Sequence, residues 1–147
     1  MIHFQTNESK TRQQSLLSVF LQAIVYYDEI LSYFVLVFQY LEFIYKYNIL
    51  TYASGTIAVE LILLTLLLFL NPLRIGSARV GNKGRKYLRL ILFLILDVLF
   101  ILGLVYIIAL QSSALYVEII IAIMAILFSG LDFILGLVLL IYYKCSE

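Results

Sequence analysis

Four long apolar stretches, joined by short polar or basic connections, take up most of this 147-residue chain. They cover about residues 20–45, 57–73, 88–110 and 115–143. A helix crosses ~30 Å of hydrocarbon with about 20 apolar residues, and ~17 is the lower limit. Every stretch meets that length. The second is the shortest, and the fourth is long enough to tilt or to extend beyond the bilayer. The first is the least apolar, because it carries Asp28, Glu29 and Glu42. Unpaired backbone groups cannot face lipid, so an open chain spans a membrane only as helix. The expected fold is an all-α membrane protein: four transmembrane helices in an up-down bundle, with neighbours forced antiparallel by their short connections.

Composition supports this solvent. Hydrophobic residues make up 64% of the chain and charged residues 13%, and mean hydropathy is +1.06. Ordinary globular domains are about 45–50% apolar and about 25% charged. A small soluble protein has a large surface to cover, and this chain lacks the polar residues to do so, which argues against a soluble enzyme or a disordered chain. A formal net charge of +1 supplies no global field for nucleic acid. The single cysteine, Cys145, rules out an intramolecular disulfide or a multi-cysteine metal site. The single histidine, His3, lies in a polar stretch, so histidine-based dyads and triads lack their base. The expectation is a protein that is not an enzyme and uses no cofactor or metal.

Residues 1–19 read as a polar N-terminal tail without the apolar core of a signal peptide. Residues 20–143 form the single transmembrane domain, with a basic loop at 74–89, and residues 144–147 a short C-terminal tail. Asn48 to Thr56 joins the first pair of spans, and Gln111 to Ala114 makes a tight hairpin between the last pair. The loop holds Arg74, Arg79, Lys83, Arg85, Lys86 and Arg89 without one acid, whereas the opposite face offers only Lys46. Lysine and arginine accumulate on the cytosolic side, so the loop and both termini are expected there. Tyr45, Tyr47, Tyr52 and Tyr116 fall at one expected interface and Tyr87, Tyr142 and Tyr143 at the other, as in aromatic belts.

The acids fall inside the spans, where an ionisable group is a functional-site hypothesis by default. At 1.5 Å per residue, Glu42, Glu60 and Glu118 lie within ~6 Å of the non-cytosolic helix ends, while Asp28, Glu29, Asp97 and Asp132 lie ~12–17 Å from the cytosolic ends. The first layer is expected to reach headgroups and water. The second, with no intramembrane Lys or Arg to neutralise it, reads in two ways. It is a shared proton or cation site, or a set of hydrogen-bonded groups that join the helices. The spans lack the Gly- or Pro-broken segments that transporters use, which favours the second reading. Gly103, Gly130 and Gly136 are candidates for close helix approach.

The basic loop acts as a topology determinant and is also a candidate surface for anionic lipid or an acidic cytosolic partner. Gly76, Gly81 and Gly84 do not make a phosphate loop, because no strand precedes them and no GKS or GKT follows. Cys145 sits just beyond the last span, where reversible acylation occurs in some proteins.

Several of these residues recur in one order. A Tyr-Lys pair closes the first span (Tyr45, Lys46). A short loop with Tyr52 leads to Glu60 early in the second. Arg74 at the second span's exit is followed by Gly81 and Asn82, and Leu110, Gln111, Leu115 and Glu118 open the fourth span, with Gly130 and Asp132 further on. Over about residues 20–140 this pattern resembles the tetraspan membrane proteins of the ciliary transition zone, the family of transmembrane proteins seventeen, eighty and two-hundred-and-sixteen. The departures are Ala78, where family members usually carry glycine, and a more basic loop. The resemblance implies a non-enzymatic component of the membrane module at the cilium base, supporting cilium assembly and a diffusion barrier. It implies a multi-pass protein of the ciliary membrane, with other transition-zone membrane and coiled-coil proteins as partners besides the lipid bilayer, and leaves room for an oligomer.

Two other classes remain at this point. One is a small proton- or cation-coupled transporter using the intramembrane carboxylates. A transport path should show polar residues a helical turn apart, yet Phe93, Phe100, Phe128 and Leu135 surround Asp97 and Asp132. The other is an accessory membrane subunit of an organellar complex.

Overall fold

The structure is a computed structural model that describes the backbone of residues 2–49, 55–109 and 116–145, and the side chains of those residues apart from 2–11, 13 and 14. It consists of four helices: α1 (Ile2–Ile49), α2 (Thr56–Lys83), α3 (Tyr87–Ala109) and α4 (Tyr116–Cys145). All four are long and apolar enough to cross a membrane, with the α1 segment taken from Ser15. The chain is an integral multi-pass membrane protein with the expected all-α architecture.

Two boundaries differ from the sequence expectation. Residues 2–19 are not a tail set apart from the first span, since α1 runs unbroken from Ile2 to Ile49. No Gly or Pro interrupts it, and its Gln, Glu, Lys and Arg residues are good helix formers. The basic stretch 74–89 is not a loop either. α2 continues to Lys83 with Pro72 inside it, and only Gly84, Arg85 and Lys86 connect it to α3. A proline removes one backbone bond, a loss that neighbouring groups in a membrane bundle can make good.

The connection is tight. The Gly84 N–H donates to Val80 O and the Lys86 N–H to Gly81 O, each at 3.0 Å. Arg85 takes φ 48°, a left-handed conformation uncommon outside glycine. A Cβ on Gly81 would lie 3.0 Å from the Leu90 nitrogen, so glycine is what lets the start of α3 lie against the end of α2. Gly103 and Gly136 likewise press against Leu67 and Phe93, whereas an added Cβ on Gly130 meets nothing within 4 Å. Gly130 therefore does not serve the close approach expected of it.

Each helix packs on two neighbours, α1 on α2 and α4, α2 on α3, and α3 on α4, which closes a ring. The partners show the directions. Ser18 of α1 bonds Asn82 of α2, Asp28 bonds Arg74 and Tyr40 bonds Thr65, so one helix ascends as the other descends. The buried positions of α4 are Glu118, Ala122, Ala125, Ser129, Asp132, Gly136, Leu139 and Tyr143, spaced alternately by four and three. α1 repeats the pattern through Leu21, Val25, Asp28, Ser32, Val35, Gln39, Glu42 and Lys46. That 3.5-residue period is the mark of left-handed, coiled-coil-like packing.

Polarity is inverted relative to a soluble bundle. Two apolar clusters, one around Leu21, Ile75, Phe93 and Leu139 and one around Leu36, Leu67, Phe100 and Leu104, lie on either side of a buried charged layer. Large apolar side chains such as Phe69, Leu88 and Ile62 face outward, as a lipid solvent requires. Tyr45, Tyr47 and Tyr116 are exposed, but Tyr143 is buried. It is not a belt residue, because its hydroxyl turns inward and donates to Asn82 O at 3.2 Å.

Candidate functional site

The central polar layer is built on Arg74. On α2 the buried positions Glu60, Leu64, Leu67, Asn71, Arg74, Ala78 and Gly81 share the four–three spacing. The packing period that carries leucines inward thus carries a guanidinium to mid-bundle. Arg74 is fully buried. Its Nη1 donates to Asp97 Oδ1 on α3 at 2.5 Å and to Ser129 Oγ on α4. Its Nη2 donates to Asp28 Oδ2 on α1 and to Asn71 Oδ1 at 3.1 Å. Ser129 passes the interaction on, donating to Asp97 Oδ1 at 2.9 Å. The Phe100 ring lies under the guanidinium, with Cζ 4.2 Å from its centroid, a cation–π contact strengthened by desolvation. Asp132 stands in the same charge field, beside Asp28, Arg74 and Asp97. One side chain therefore touches all four helices, and its planar fork suits two carboxylates at once.

This arrangement overturns the expectation that no intramembrane cation matches the deep acids. Arg74 belongs inside with Asp28, Asp97 and Asp132, not in a basic loop. Glu29 leaves the deep layer, because it turns outward to pair with the exposed Arg79. Lys83, Arg85, Lys86 and Arg89 are exposed at the α2–α3 end.

Two further polar layers cap the bundle. At the far end Lys46 is fully buried and pairs with Glu118, with Glu42 close to both. Glu42, Glu60 and Glu118 are buried inside the bundle and do not face headgroups as expected; a carboxylate among helices finds donors that the lipid face lacks. At the turn end Asn82 Nδ2 donates to Ser18 O at 2.8 Å, and Asn82 Oδ1 accepts from Ser18 Oγ at 2.7 Å. Of the recurring motif positions, Lys46, Arg74, Asn82 and Glu118 thus form ties between helices, and Gly81 allows a close backbone contact. Tyr45 is exposed, while Tyr52 and Gln111 lie outside the described residues. Hydropathy and depth do not pick out Ser18, Asn71 and Ser129, and they give Phe100 only as an apolar neighbour and Tyr143 only as a belt residue. The four–three register they share with the buried leucines is the signal that finds them.

Chemically, the centre is a clamp: a permanently charged donor held by carboxylates and a hydroxyl, in a bundle with lipid outside. The class defined is a four-helix multi-pass membrane protein with charged ties in its interior. A family model, Transmemb_17, described as a predicted membrane protein, matches residues 16–129, and the chain belongs to that family. The membership is consistent with the resemblance carried by the motif residues. No curated protein and no solved structure matches the chain.

Proposed function

We propose that this protein is a non-enzymatic membrane component of the ciliary transition zone, supporting cilium assembly and the diffusion barrier at the cilium base by packing against partner membrane proteins. The observation that carries the reading is where the family-like residues lie. Lys46, Arg74, Asn82 and Glu118 pair with other helices of the same bundle, so the motif describes a scaffold. A scaffold with an outward apolar surface suits assembly with other helices in the membrane, where packing and interhelical hydrogen bonds drive association. The test is localisation of a tagged copy in ciliated cells. Concentration at the cilium base supports the proposal, and an even distribution over other membranes overturns it.

A second reading, proton- or cation-coupled transport, draws on one observation: three carboxyls, Asp28, Asp97 and Asp132, surround a single guanidinium. Against it, Phe93 and Phe100, fully or almost fully buried, place apolar rings one helical turn from Asp97 on either side along α3. Proton flux through reconstituted protein, lost in Asp97→Asn or Asp132→Asn, is what that reading needs.

A further inference from the structure

Where α1 and α2 meet the turn to α3, the surface opens into a groove of about 620 Å³. Gln22 and Tyr26 of α1 form one wall. Arg79, Val80 and Lys83 of α2, with Lys86 of the connection, form the other. Arg79 bridges to Glu29. Among the described residues, no acid lies within 4 Å of Lys83 or Lys86. Tyr26 and Val80 are 55% and 46% exposed, so the groove presents apolar surface beside its cations. Lys83 stands one helical turn nearer the end of α2 than Arg79 and Val80. The two lysines at the end, with Arg79 and the apolar surface of Tyr26 and Val80 deeper in the bundle, match a phospholipid whose charged headgroup sits above glycerol and acyl chain.

We propose that this groove binds the headgroup of a polyanionic phospholipid, a phosphorylated inositol lipid, from the leaflet at the turn end. Three cations converge and, among the described residues, one carboxylate, Glu29, opposes them, which exceeds what a singly charged headgroup matches. Lys83 and Lys86 hold phosphate oxygens as point charges. Arg79 exchanges Glu29 for a phosphate, which its fork engages through two parallel bonds. The proposal needs the membrane setting but not the ciliary reading, so either stands if the other fails.

The test uses the full chain in phosphatidylcholine nanodiscs carrying a phosphatidylinositol bisphosphate, with retained lipid read by native mass spectrometry. Nanodiscs with phosphatidylserine, and free inositol trisphosphate, form the comparison arms. Basic side chains near a headgroup contribute about 1 kcal/mol each, or about fivefold in affinity. Lys83→Gln and Lys86→Gln should therefore each weaken retention about fivefold, and Glu29→Gln should strengthen it. Lys144→Gln and Arg12→Gln, exposed outside the groove, should leave it unchanged. Unaltered helical circular dichroism certifies each variant's fold. Equal loss from Lys144→Gln and Lys83→Gln, equal retention of phosphatidylserine, or equal binding of the free headgroup overturns the proposal.

Discussion

Lys46 and Glu118 show what a charge does once lipid rather than water surrounds the bundle. Both side chains are 1% exposed and bonded to each other. Removing one partner of such a pair strands the other, at a cost of about 3–5 kcal/mol, while replacing both by apolar groups of similar size is often neutral. Lys46→Met should therefore destabilise the protein by that amount, and Lys46→Met with Glu118→Met should recover most of the loss. Unfolding in mixed detergent micelles, followed by circular dichroism, measures both. Gly81 presents a different constraint, because its added Cβ would meet backbone that cannot rotate away. Gly81→Val should cost about 1–3 kcal/mol by overpacking. Gly130→Ala, which points into open space, should stay within about 0.5 kcal/mol.

At the scale of elements, α3 and α4 lie close to where the apolar stretches place them, and α1 and α2 extend further. Hydropathy scores a residue by its type, so the fall in apolarity at Arg74, just after Pro72, reads as the end of a span. Its burial depends on Asp28 and Asp97, 46 and 23 positions away in the chain, and no window over α2 alone contains them. The same limit separates Glu29 from Asp28. The two are adjacent in sequence, but only Asp28 falls on the inward register of α1. What the chain does display is that register. Polar residues spaced by four and three among buried leucines mark an interior face, and reading them together places Lys46, Arg74 and Asp132 inside the bundle. Apolar runs alone place them only by depth.

On the scale of the whole molecule, the near-zero net charge hides a strong polarisation. Exposed cations gather at the α2–α3 turn, as Arg79, Lys83, Arg85, Lys86 and Arg89, while Lys46 at the other end is sealed inside. The asymmetry therefore exceeds what residue counts suggest, and the positive-inside rule predicts a cytosolic turn. In a Cys145→Ser background, a membrane-impermeant maleimide should label Lys83→Cys only from the cytosolic side and Tyr116→Cys only from the opposite side; the reverse pattern contradicts this orientation. The central claim is that the interior charge of Arg74 joins the four helices. The most direct test is a double-mutant cycle on Arg74 and Asp97, with unfolding free energy measured for Arg74→Met, Asp97→Leu and the pair. A buried clamp predicts a cost of about 3–5 kcal/mol for each single change, and a double variant that loses clearly less than the two losses added. Small, additive losses, as for an arginine on a solvated loop, would contradict the account.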